Sequence, residues 1–265
     1  MSDREYTLIT GATSGIGYAL AREFAARGHH LILASRNLAR MEEIRRDFAE
    51  KYPGRDVICL QTDLSQLGAA EKLFERCTDY TVNVLVNNAG VLMKAMRQTD
   101  QSIETCVELL QLNCTAVMKL STLFGRQMCE RRSGYILNLA STAAFQPMPF
   151  TALYGASKAF VLSLSEAMHI ELFDSGVGVT ALCPGLTDTG LFKHGQPNVP
   201  GWLYRMVSPE MTARRAIKAM YRKQPYVIPC FQHWLFAQTS RFLTHQMLTR
   251  IMRRIGKVRH KVRFI

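Results

Sequence analysis

A parallel, doubly wound α/β sheet with helices on both faces is the fold that this sequence predicts, as one domain. Short apolar runs alternate along the chain with longer stretches of helical periodicity. Thr10, Ser35, Asp63, Asn87, Ser141 and Pro184 all fall where those short runs end. That edge of an open α/β sheet is where ligands bind. A chain of 265 residues, 48% hydrophobic, is long enough to bury a large core without dividing.

Tyr6–Thr10 reads as the first strand, and a glycine-rich turn through Gly11, Gly15 and Gly17 follows at once. Ile16, Leu20, Phe24 and Ala25 then recur at helical spacing until Gly28 stops the helix. Leu31–Ala34 is the second strand, and a charged helix over about 38–51 ends before Pro53-Gly54. Val57–Leu60 is the third strand, a helix near 66–78 follows, and Val82–Asn87 is the fourth. Two helices fill about 101–132, with Asn113 between or inside them. Tyr135–Ala140 and Val177–Leu182 are later strands, separated by a long helix of about 153–174, and Tyr226–Pro229 is the last strand. No repeat, low-complexity tract or linker interrupts the pattern.

The net charge of +12 is concentrated at one end. Residues 201–265 carry fourteen lysines and arginines against one acid, Glu210, while the first 200 residues carry nineteen against twenty. The seven cysteines are odd in number and scattered, which argues for reduced thiols, a cytoplasmic setting and no metal site. No apolar run is long enough to span a membrane, and Met1–Tyr6 lacks the layout of a signal peptide. His169, His194, His233 and His245 have no carboxylate or cysteine at metal spacing and read as structural or surface groups.

The turn between the first strand and helix suits a pyrophosphate. Gly11 allows the tight bend, Gly15 and Gly17 allow close approach, and the helix start offers free N–H groups. Its spacing is Gly-x-x-x-Gly-x-Gly rather than the common Gly-x-Gly-x-x-Gly. An acid after the second strand commonly holds the ribose of NAD, but Ala34-Ser35-Arg36-Asn37 has none. Arg36 can pair with a 2′-phosphate in a fork and Ser35 can donate to it, so NADP(H) is expected over NAD(H). The plainer reading of Arg36 is an exposed surface arginine.

Tyr154 and Lys158 lie four residues apart and share a helix face, a pairing that is common and weak by itself. Thr10-Gly-x-x-x-Gly-Ile-Gly17, Asp63-Leu64, Asn87-Asn-Ala-Gly90, Asn113, Ser141, Tyr154-x-x-x-Lys158 and Pro184-Gly-x-x-x-Thr189 occur in that order. Together they resemble the short-chain dehydrogenase/reductase family in its compact single-domain form, over roughly residues 5–230. The resemblance implies a Rossmann-type catalytic domain over 1–229, with 230–265 as a basic helical extension of it. It implies a cofactor site at Gly11, Thr13, Ser14, Gly15, Ile16 and Gly17, with Ser35 and Arg36 at the ribose. Asp63 and Leu64 would contact adenine, and Asn87, Asn88, Ala89 and Gly90 would line the adenosine and nicotinamide side. Pro184, Gly185, Thr187 and Thr189 would bind the carboxamide and phosphates.

The same resemblance implies a catalytic set of Asn113, Ser141, Tyr154 and Lys158. Reducing a carbonyl leaves an alkoxide that needs a proton, and a phenol of pKa near 10 gives and takes one poorly at neutral pH. Lys158 is expected to lower Tyr154, hold the nicotinamide ribose and open a water-linked proton route through Asn113. Ser141 would hydrogen-bond the substrate oxygen. Singly, Ser141 could be a cap, Asn113 a helix contact and Lys158 solvated. The substrate wall is expected from 143–149 and 191–206, where Phe145, Met148, Leu191, Phe192, Trp202 and Met206 favour a bulky hydrophobic ketone or aldehyde; His194 lies in the same covering segment. Rival readings are a reductase of small polar ketones or sugars, and an NADPH-binding scaffold with incidental turnover.

After Pro229, apolar residues recur at three- and four-residue steps with arginines between them. Such a basic amphipathic helix can pack on the body or a second subunit, lie on a membrane surface, or meet an acidic partner. No nucleic-acid motif accompanies the charge. This tail and the Ser208-Pro-Glu onset resemble the branch of the family that holds ketoacyl and hydroxysteroid reductases and DltE-like proteins. A homo-oligomer, dimer or tetramer, through helices of about 113–132 and 153–174 is also implied by the resemblance.

Overall fold

The computed structural model describes residues 4–189 and 206–261. Seven strands form one sheet: β1 (Glu5–Thr10), β2 (His30–Ser35), β3 (Val57–Gln61), β4 (Thr81–Asn87), β5 (Gly134–Leu139), β6 (Val177–Leu182) and β7 (Tyr226–Val227). Their order is β3-β2-β1-β4-β5-β6-β7, and every neighbouring pair is parallel. The winding therefore reverses between β1 and β4, which opens a crevice at their carboxyl ends. Nine helices are described: α1 (Gly15–Ala26), α2 (Leu38–Lys51), α3 (Ala69–Glu75), α4 (Ile103–Leu110), α5 (Ala116–Arg131), α6 (Ala152–Leu172), α7 (Pro209–Tyr221), α8 (Phe231–Phe242) and α9 (His245–Lys261).

Two cores sandwich the sheet. On one face Leu20 and Phe24 of α1, Met41, Ile44 and Phe48 of α2 and Ile217 and Met220 of α7 pack on Leu31 and Leu33. On the other, Leu73 of α3, Leu120, Phe124 and Met128 of α5 and Met168 of α6 pack on Ile32 and Ala34. Successive residues of β2 thus feed opposite cores, because a pleated strand turns alternate side chains to opposite faces. Burial on both sides is why these strands read as continuous apolar runs.

The structure differs from the sequence pattern at three helices and a strand. The helix expected near 66–78 is confined to Ala69–Glu75, preceded by Gly68 at φ +75°. The last strand stops at Val227, two residues before Pro229, which has no N–H to give a ladder. The periodicity left 209–221 without an element. There Ser208 caps α7, accepting from the Met211 N–H at 3.2 Å, with Pro209 in the first turn. The tail is two helices, broken where Leu243 turns extended (φ −105°, ψ 141°).

Phe124 is 1% exposed and meets Phe74 edge to face at 5.0 Å between centroids. Phe124→Ala should therefore lower unfolding free energy by about 3–5 kcal/mol in a urea titration, the usual range for a buried Phe deletion.

Candidate active site

Six of the seven strands end at or two residues before a residue singled out from the sequence. Thr10, Ser35 and Asn87 are the last residues of β1, β2 and β4. Asp63, Ser141 and Pro184 lie two residues beyond the ends of β3, β5 and β6. The Thr10 hydroxyl accepts from the N–H groups of Asn88 and Ala89, both at 3.0 Å, and donates to the Val86 carbonyl at 3.3 Å. Asn88 returns two bonds through Nδ2, to the Thr10 carbonyl at 2.9 Å and the Gly11 carbonyl at 3.1 Å. The glycine turn is thereby held against the loop after β4.

That fit requires glycine. A Cβ on Gly17 would lie 2.3 Å from the Gly11 carbonyl oxygen and 2.4 Å from Asn88 Nδ2. Gly15 has φ +54°, and a Cβ there would meet Thr189 Cβ at 2.9 Å, so the loop after β6 closes over the turn. Ser14 begins α1 without a side-chain cap bond, and the first turn holds no acid. The leading N–H groups of α1 therefore remain available to an anion. Thr13 Oγ1 lies 3.2 Å from Ser35 Oγ and joins the turn to the end of β2. Arg36 is exposed beside it. The cradle, the free helix start and the acid-free end of β2 fit a phosphorylated dinucleotide.

Asp63 stands at the next strand end. Burial acts to raise its pKa, but the Ser65 hydroxyl and amide, at 2.7 and 3.1 Å, and the nearby Arg36 outweigh it and hold the carboxylate below its ordinary value. Leu64 is 5% exposed and packs into the core. Asn87 also turns inward: its Nδ2 donates to Ser121 Oγ at 3.0 Å and Asn138 Oδ1 at 2.8 Å. Asn138 in turn donates to Ser165 Oγ at 3.0 Å. This buried chain joins β4 and β5 to α5 and α6. Asn138, Ser121 and Ser165 were not singled out from the sequence, because a lone polar residue in an apolar run carries no periodic signal.

Beyond Asn87 the chain reaches Gly90 and the chemical end of the site. Asn113 lies in a π-turn, Gln111–Thr115, that joins α4 to α5. Its Oδ1 accepts from the Val91 N–H and its Nδ2 donates to the Val91 carbonyl, both at 3.0 Å, with Ser157 Oγ at 3.3 Å. A Cβ on Gly90 would stand 3.1 Å from Asn113 Oδ1 and 3.5 Å from Lys158 Nζ. Glycine lets these two groups reach the same spot. Ser141 Oγ accepts from the Ala143 N–H at 3.1 Å and donates weakly to the Pro184 carbonyl at 3.4 Å.

Tyr154 and Lys158 share the inner face of α6, with Nζ 5.8 Å from the ring centroid. Lys158 donates to the Leu139 carbonyl at 2.6 Å. Burial pulls its pKa down to about 8, against the smaller opposing pull of Cys114 and Cys183. Burial pushes the Tyr154 phenol up, partly countered by a hydrogen bond from Ser141. Desolvation of the ring is the larger of the two effects.

Pro184, Gly185, Thr187 and Thr189 border the same crevice. A Cβ on Gly185 would fall 2.3 Å from His233 Nδ1, so α8 of the tail rests on this loop. Phe145 packs against Tyr226 at 6.0 Å, Met148 abuts Gly155, and Met206 is exposed. Leu191, Phe192, His194 and Trp202 lie outside the described residues. His169 bonds the Val179 carbonyl at 3.0 Å, away from the site.

Fold and site together describe a doubly wound sheet with a glycine-lined crevice at its switch point. The family model for short chain dehydrogenase matches residues 5–199, and the chain belongs to that family. It is 34% identical over 193 residues to 17-beta-hydroxysteroid dehydrogenase type 3 of Mus musculus, covering 72% of this chain and 62% of that protein. The match thus spans less than two thirds of that relative. Among solved structures, a short-chain dehydrogenase from Sphingobium yanoikuyae in complex with NADPH superposes with a TM-score of 0.79 at 30% identity, over 90% of this chain and 93% of that one. A bulky-bulky ketone specific alcohol dehydrogenase from Comamonas testosteroni gives 0.78 at 29%, over 91% and 93%.

Lys158 supplies a test of the site's electrostatics. With a folded pKa of about 8 against an ordinary 10.5, both folded and unfolded chains carry the proton below pH 8. Between the two values the unfolded chain binds more protons, so stability rises with pH. Wild type should gain on Lys158→Met by on the order of 3 kcal/mol between pH 8 and 10.5. Paired thermal melts across that window check it, and a constant difference would contradict the buried ammonium.

Proposed function

We propose that the chain is an NADP(H)-dependent oxidoreductase that interconverts a ketone and a secondary alcohol on a bulky hydrophobic substrate, steroid-like or acyl-chain. The observation that carries this reading is the meeting of Ser141, Tyr154 and Lys158 beside Gly90 and Asn113 at the carboxyl edge of the sheet. The names of the relatives, a hydroxysteroid dehydrogenase and a bulky-ketone alcohol dehydrogenase, support the substrate class.

The pyrophosphate would be held by Gly11, Thr13, Ser14, Gly15, Ile16 and Gly17, the 2′-phosphate by Ser35 and Arg36, and adenine by Asp63 and Leu64. The backbone of Asn87, Asn88, Ala89 and Gly90 would line the crevice, and Pro184, Gly185, Thr187 and Thr189 would cover it. A bound nicotinamide supplies or accepts the hydride. Everything else falls to the protein. Ser141 exchanges its long bond to Pro184 for one to the substrate oxygen, which stabilises the charge that develops there. Tyr154, held protonated by burial, breaks its O–H bond and gives the proton to that oxygen. Lys158, fixed by Leu139, stabilises the phenolate left behind. Asn113 holds the Val91 backbone and Ser157 in register with α6. In the alcohol-to-ketone direction Tyr154 takes the proton back.

Residues 1–229 act as the catalytic domain and 230–265 as its extension, a reading supported by the contact of His233 with the loop at Gly185. A cytoplasmic setting agrees with seven cysteines free of disulfides. Exposed Met118 on α5, Phe160 and Ile170 on α6, and the following Phe173 support a dimer or tetramer through that side.

Tyr154→Phe should lower kcat for a hydrophobic ketone on the order of 100- to 10,000-fold, while NADPH affinity by fluorescence titration changes little. Full turnover in that variant would end the assignment. Arg36→Ala should weaken NADPH about 10- to 100-fold, the loss of a charge-assisted contact, and leave NADH nearly unchanged. Equal effects on both would remove Arg36 from the cofactor choice.

A further inference from the structure

The tail is only partly absorbed by the fold. On α8, His233, Ala237 and Gln238 are buried, and on α9 Leu248 and Met252 are 3% and 6% exposed. These side chains are covered, and α8 packs on the body at the Thr142–Phe145 turn and the loop at Gly185. The tail's other face is apolar and open: Phe231 is 71% exposed, Leu235 56% and Phe242 85%, beside Trp234, Met247 and Ile251 at 40–49%. Phe231, Leu235 and Phe242 follow at four- and seven-residue steps, so they share one side of α8. Met247 and Ile251 share one side of α9 in the same way.

Arg241, Arg250, Arg253 and Arg254 are exposed among these residues. No acid follows Glu210 in the sequence. Exposed aromatic and aliphatic side chains interleaved with arginines, without an acid, are the chemistry of a helix that lies in a lipid interface. The apolar groups enter the headgroup boundary and the guanidinium groups meet lipid phosphates.

We propose that the exposed face of α8 and α9 docks on an anionic phospholipid surface. Charge argues against the other occupants. A second copy seated on this face would bring arginine against arginine with no acid between them, a repulsion that pairing must overcome. A nucleic-acid backbone would satisfy the arginines but leave Phe231, Leu235 and Phe242 in water. A lipid surface satisfies both sets. The geometry also has a consequence for the crevice. His233, on the body side of α8, rests on Gly185, so the lipid would lie one helix diameter, about 10 Å, from the loop that borders the site.

The test is co-sedimentation of the full chain with phosphatidylcholine vesicles with and without phosphatidylglycerol. Binding should need the anionic lipid and be lost near 0.5 M salt, where charges are screened within a few Å, roughly 4 Å. Replacing Arg250, Arg253 and Arg254 together by Gln should weaken it on the order of 100-fold, each contributing about 1 kcal/mol near an anionic surface. Trp234→Ser with Phe242→Ser should weaken binding at least tenfold through lost burial of apolar area. Both positions are exposed, and unchanged NADPH affinity and melting temperature will confirm that the variants fold. No binding to anionic vesicles overturns the proposal. So does binding that ignores Trp234 and Phe242, which would mean adsorption by charge alone. Light scattering that shows a dimer dissolved by the same pair, without vesicle binding, would assign the face to a second copy. Tighter capture by duplex DNA than by vesicles would assign it to nucleic acid. None of these outcomes depends on turnover.

Discussion

The hydroxyl of Thr10 and the carboxamide of Asn88 clasp β1 to the end of β4 at the point where the winding reverses. Four bonds of 2.9–3.1 Å cross that junction. They draw the loop after β4 so close to the glycine turn that Gly17 has no room for a Cβ. The crevice depends on this closure. It sets the direction in which α1 presents its N–H groups, and it sets the path by which the chain reaches Gly90. Because both partners bond mainly to backbone, the clasp constrains main chain and not merely side chains. A change that loosened it would disturb the glycine turn and the loop that leads to Gly90 together.

A second layer of polar contacts lies beneath the first. Asn87, Ser121, Asn138 and Ser165 form a chain of hydrogen bonds through buried surroundings, where an unpaired group would cost about 1–3 kcal/mol. It registers α5 and α6 on the sheet and hence places Asn113 and Lys158. The burial that makes this network specific also shapes the chemistry. It draws Lys158 down to about 8 and pushes Tyr154 up. Burial keeps the phenol protonated, and Lys158 lies beside it on the same face of α6.

The tail joins the same economy of surfaces. One side of α8 touches the loop at Gly185, while the other is apolar and open. A contact on the outer side is therefore separated from the crevice by a single helix. Among the described residues no helix is long and apolar enough to cross a membrane.

Much of this was legible in the residues because strand ends and glycine spacing are local. The parallel sheet followed from apolar runs that are buried on both faces, and the crevice from the residues at which those runs end. The set Asn113, Ser141, Tyr154 and Lys158 was legible as a resemblance, through order and spacing. The tertiary structure decided what spacing cannot carry. It turned Asn87 into the core, since only packing shows which partner a buried amide finds. It showed that burial pushes Tyr154 up, since desolvation depends on every neighbour of the ring. It broke the tail at Leu243 and laid α8 on Gly185, a contact between segments nearly fifty residues apart. Residue identity determined which groups stand at the strand ends, and long-range packing determined which of them face the crevice.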